Sequence, residues 1–134
     1  MTSQRRMQKI YLYTRFERFY FPSNNHAIHF QYLKSVTIED CHFEDITLSQ
    51  TAHPRGPIGV RESGLKSIKG NSAVNTDLEA LTFMQAWACD SAFVRSSSSV
   101  PVITSTIHVP EDSALAFGRG TIVKFLDNSS IINE

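Results

Sequence analysis

Only two cysteines, Cys41 and Cys89, occur in 134 residues, far apart, with no CxxC pair and no histidine at zinc-finger spacing. That excludes a disulfide framework and a structural zinc, while a single bridge between the two stays open. Their apolar surroundings, CHF and WAC, suit buried thiols in a reducing, cytoplasmic setting. No charge of one sign prevails, since 13 basic residues balance 13 acidic ones. Nucleic acid, whose phosphates call for an excess of Lys and Arg, is therefore not an expected partner. No apolar run approaches the length that spans a bilayer, and MTSQRRMQKIYLYTRF lacks the apolar stretch of a secretory signal. No membrane partner is expected. Absent too are GxGxxG, Walker A, GxSxG and HExxH, each the mark of a particular cofactor, phosphate, acyl or zinc chemistry.

Hydrophobic residues make up 41% and charged residues 19%, so Ser, Thr, Asn and Gln must cover much of the surface. The length suits a single domain, residues 1–134, with one hydrophobic core. Residues 1–9 read as a flexible basic arm. Arg5, Arg6, Lys9, Arg15 and Arg18 form a local cluster that could meet an acidic partner chain.

The strongest local signal is TDLEALTFMQAWACDSAFV, residues 76–94. Thr76 and Glu79 have capping-box spacing, and the apolar residues beyond them cover most of a helical circumference. The spacing predicts one buried helix, stopped by Ser96 to Ser99 and Pro101. Around it the pattern is strand and turn. Residues 8–21 and Ala27 to Leu33 read as strands that could pair as a hairpin, and 51–75, with two prolines and most of the glycines, as the principal loop region. Leu65 to Ile68 is a short strand within it. After the helix come strands at VPVITSTIHV, ALAF, TIVKFL and SIIN, parted by turns at PEDS, Gly118-Arg119-Gly120 and Asp127-Asn128.

The segment VTIEDCHFEDITL places Ile38, Phe43 and Leu48 on a five-residue beat. Extended in both directions, the beat meets Ile28, Leu33, Ile58, Ile68, Leu78, Phe83, Phe93 and Ile103, while His53, Ser63, Ser98 and Ser113 break it. A repeat of this length with a central Leu or Phe resembles the pentapeptide-repeat family, which implies a right-handed β-solenoid. The other account is a turn at Glu39-Asp40 that switches the buried parity from Val36 and Ile38 to Cys41 and Phe43.

Strands, a loop, a buried helix and then antiparallel strands also resemble, in order, the hotdog fold. Trp87-Ala88-Cys89-Asp90 has the form aromatic, any residue, Ser, Asp of one thioesterase branch, with Cys for Ser, and Gly70-Asn71-Ser72 stands where His-Gly-Gly would. The fold expected is thus α+β: an antiparallel sheet of about six strands wrapped around one buried helix, with the five-residue β-solenoid as alternative. The resemblance implies a small soluble enzyme acting on an apolar acyl or carbonyl substrate, with Asp90 as general base. His53 or His108 would assist, and Phe83, Trp87 and Phe93 would line the pocket. No cofactor is expected. No metal is either, because His26 and His29 fall on opposite faces of a strand. The alternative function is a non-catalytic assembly or interaction subunit, a homo-oligomer or the partner of another protein, docking through an exposed aromatic edge strand between Tyr11 and Phe21.

Overall fold

A computed structural model describes residues 9–12, 15–17, 20–21, 28–45, 47–48, 58–75 and 80–134. Every regular element among them is a β-strand. Three short ones come first, β1 (Lys9–Leu12), β2 (Arg15–Glu17) and β3 (Tyr20–Phe21). Then follow β4 (Ile28–Gln31), β5 (Ser35–Glu39), β6 (His42–Glu44) and β7 (Thr47–Leu48). The middle of the chain holds β8 (Ile58–Arg61), β9 (Gly64–Lys69), β10 (Ser72–Val74), β11 (Leu81–Met84) and β12 (Ala86–Val94). The last strands are β13 (Val102–Thr104), β14 (Ile107–Val109), β15 (Ala114–Phe117), β16 (Val123–Phe125) and β17 (Ile131–Asn133).

Among the described residues no strand pairs with its neighbour in the chain. Parallel ladders run β1-β5-β9-β12-β14-β17, with β15 also beside β12, then β4-β8-β11-β13-β16, β2-β6-β10 and β3-β7. Parallel partners must be joined by a crossover, and here each crossover is the rest of a coil. The chain is a β-solenoid. Its register shows the coil length directly: Ile28 lies beside Ile58, Gly59 beside Thr82, Thr82 beside Ile103 and Ile103 beside Lys124.

Corners separate the strands, and most are single residues with left-handed backbone. Asp40 (φ 54°) lies above Gly70 (φ 70°), Asp45 (φ 55°) above Asn75 (φ 49°), and Tyr32, Glu62 and Gln85 form a third column. Asp, Asn and Gly adopt this conformation at the least cost. Each corner is tied to the next coil: Asp40 N donates to Lys69 O at 3.0 Å, and Glu62 N to Met84 O at 2.9 Å. Asn71 adds a side-chain clamp, accepting from Cys41 N at 2.9 Å and donating to Ile38 O at 3.1 Å.

A left-handed residue resets which alternate positions face inward. Val36 and Ile38 face the core before Asp40, and Cys41 and Phe43 face it after; all four are wholly buried. The parity switch expected at Glu39-Asp40 is therefore present, as the corner of a solenoid. Leu33, Ile58, Val60, Leu65, Ile68, Leu81 and Phe83 belong to the same apolar column, which runs on to Val102 and Ile107. Ser63, which interrupts the five-residue beat, is buried as well, and its hydroxyl accepts from Leu33 N and donates to Arg61 O, both at 2.9 Å.

The expected α+β fold, an antiparallel sheet around a buried helix, is corrected by these ladders. Leu81 to Val94 forms β11 and β12, not a helix, and every strand pairing is parallel. The capping residues Thr76 and Glu79 lie outside the described residues. The expected hairpin is replaced by pairing of β1 with β5 and of β4 with β8. VPVITSTIHV is broken into β13 and β14, while the turns at PEDS and Asp127-Asn128 stand as read. The hotdog likeness falls with the helix. Among the described residues no helix is long and apolar enough to cross a membrane, and no group of three or more His, Cys, Asp or Glu could hold a metal ion.

Candidate functional site

The C-terminal end of the solenoid departs most from what a closed surface requires. β16 and β17 are last in their ladders, and β15 joins its sheet only through β12. Phe117, Ile122, Phe125, Ile131 and Ile132 are between 39% and 44% exposed. Inside the coil such residues would stack on the next rung. Here that rung is missing among the described residues, so both the apolar side chains and the outer backbone edge of β17 are open.

Exposed edges are usually blunted by a charge, a proline or a bulge. β17, Ile131–Asn133, has none of these. The nearest carboxylate, Glu134, is turned back on His108, with Oε2 2.9 Å from Nδ1. Glu134 N also donates to Val109 O at 2.9 Å, holding β17 against β14 and leaving its far edge free. What this arrangement can do chemically is accept another strand, whose backbone would pair with β17 while its apolar side chains cover those of the last coil.

The residues singled out for acyl chemistry are dispersed. Asp90 sits at the tip of a knuckle in β12, where pairing with β9 slips between Ala88 and Phe93. Its side chain is 81% exposed and 3.6 Å from Lys66 Nζ, so the burial that would make it a general base is not there. His108 lies on β14 in register with Trp87, and its imidazole is engaged by Glu134. His53 lies outside the described residues. Phe83 is part of the core. Trp87 instead spreads over Gly64 of the neighbouring rung, where an added Cβ would lie 3.0 Å from Nε1 and only 2.1 Å from Lys34 O. Phe93 similarly covers Gly118. Neither aromatic ring shares a hollow with Phe83. The aromatic strand proposed for docking falls in β1 to β3, where the side chains are outside the description.

The sequence reads SIIN as a strand and not as a docking edge. The signal was available: two adjacent isoleucines in a terminal strand with no charge to guard them. Comparison with protein-family models, curated proteins and solved structures finds no match for this chain.

Proposed function

We propose that this chain is an assembly module that associates through the C-terminal end of its solenoid with the same end of a second copy. The observation that carries this reading is the uncharged edge of β17, which no strand covers among the described residues, beside the exposed apolar side chains of the last described coil. Two copies related by a two-fold axis at Ile132 would pair β17 antiparallel with itself, Ile131 opposite Asn133 and Ile132 opposite Ile132. No like charges meet in that pairing, which is what a self-complementary interface requires. Two cysteines this far apart in the chain, Cys41 and Cys89, fit a reducing compartment as its place of action.

Sedimentation velocity over a rising concentration series tests the reading. The wild-type chain should shift from monomer to dimer. Ile132→Lys, which sets two ammonium groups at the axis, should hold it monomeric without changing its unfolding midpoint, because Ile132 is exposed in the single chain. A wild-type chain that stays monomeric into the high micromolar range overturns the proposal.

A further inference from the structure

The outer surface carries several polar contacts between neighbouring rungs. Asn75 donates to Asp45 at 2.6 Å, Gln31 approaches Glu62, and His108 meets Glu134. Only one, among the described residues, joins a hydroxyl, an imidazole and a carboxylate in sequence. His42 on β6 and Ser72 on β10 are direct partners in the parallel register. His42 Nδ1 lies 2.7 Å from Ser72 Oγ, and Nε2 lies 3.1 Å from Glu44 Oε1. Glu44 is two residues beyond His42 on one strand, hence on the same face.

Hydrogen-bond bookkeeping sets the proton positions. An ionised Glu44 accepts only, so Nε2 must carry hydrogen; in the neutral ring Nδ1 is then an acceptor, and the Ser72 hydroxyl donates to it. This is the order that activates a serine: nucleophile, base, and a third group that fixes the base. The side chains of His42 and Glu44 are 26% and 27% exposed, so they are partly shielded, while Ser72 is open to solvent.

The framework beneath is rigid for reasons already described. Phe43, between His42 and Glu44, is wholly buried, so β6 cannot turn its outer face inward. The Asn71 clamp fixes the corner just before Ser72, and Ser72 N donates to Cys41 O at 2.9 Å. In a strand the next residue directs its backbone groups to the opposite side. Ala73 N–H therefore faces the other edge of β10, which no strand occupies among the described residues. A backbone donor one residue after the nucleophile is suited to an acyl oxygen that gains negative charge.

We propose that Ser72 is an acyl-accepting nucleophile, with His42 as its general base and Glu44 as the positioning residue. The substrate class is small esters with good leaving groups, since an open sheet face favours acyl groups that need little binding. Ser72 Oγ bonds to the carbonyl carbon as its proton passes to His42 Nδ1. The bond to the leaving oxygen then breaks, and that oxygen takes the proton from Nδ1. Water repeats the sequence on acyl-Ser72, releasing the acid and restoring the hydroxyl. One water is consumed and nothing is oxidised or reduced.

The full chain treated with p-nitrophenyl acetate should release nitrophenol with an initial burst, and peptide mass spectrometry should place the acetyl group on Ser72. Ser72→Ala should abolish the burst with no change in thermal midpoint, the site being exposed. His42→Gln should slow it by about a hundredfold. Glu44→Gln should slow it about tenfold and displace its pH profile, with the profile restored by Glu44→Asp, a response that loss of packing would not give. Acetyl appearing on lysines instead, or on Ser72 no faster than in the urea-unfolded chain, overturns the proposal. Neither result depends on whether the chain dimerises, because Ile132→Lys leaves this face untouched.

Discussion

Between Leu33 and Val109 the inward side chains of this solenoid are buried, whereas from Pro110 to Glu134 no residue is. The last two strands, β16 and β17, have the same length as the strands they pair with one coil earlier, β13 and β14. VKF and IIN at the end each have two apolar residues in three, as VIT and IHV do one coil earlier. What differs is position: among the described residues a middle rung has a neighbour on each side, and the rung of β16 and β17 has one. Burial in such a fold belongs to the stack, not to the strand, as expected where each repeat contacts only its nearest neighbours. The apolar side chains of β16 and β17 are accordingly left partly exposed among the described residues.

The contrast can be broken most directly at its two phenylalanines. Phe43→Ala, in a wholly buried position, should lower unfolding free energy by about 3–5 kcal/mol in a urea titration. Next in size is Gly64→Ala, whose new Cβ would lie 2.1 Å from the backbone oxygen of Lys34. Strand β9 must shift to admit it, at a cost of about 1–3 kcal/mol in the same titration. Smallest is Phe125→Ala on β16, where the side chain is already 39% exposed; a change of about 1 kcal/mol is expected in the monomer. Equal losses at Phe43 and Phe125 would show that the last coil is as tightly packed as the middle, and would remove the ground for dimerisation with it.

The early coils were legible in sequence because their length suits the beat. Ile28 lies beside Ile58 in register, thirty residues on, which is six pentapeptides, so Leu33, Ile38, Phe43, Ile58 and Ile68 keep one phase and all five side chains reach the core. From there the step shortens. Gly59 lies beside Thr82 and Thr82 beside Ile103, so the phase drifts. Ile103 is buried but does not join the core column.

The false helix has a related cause. Leu81, Phe83, Ala86, Ala88, Ala92 and Val94 are the buried apolar residues of β11 and β12, pairs two apart whose parity switches at left-handed Gln85 and which are spaced apart by the knuckle at left-handed Asp90. Wound at a hundred degrees per residue, such pairs spread around the whole circumference and imitate a buried helix. Asp40, Asp45, Gly70 and Asn75 carry ordinary turn chemistry, but Gln85 does not, so no local signal marked that corner. The reactive serine was equally hidden. Ser72, His42 and Glu44 converge only once the register between β6 and β10 is known.

The corner columns have one further consequence. Each coil is placed by backbone donors reaching the coil beside it, so the spacing between rungs is constant while the perimeter varies from thirty residues to twenty-one. An insertion between two corners thus becomes a local outward bulge and leaves the frame of every later strand intact. A chain built this way can change length at its connectors without losing its pitch.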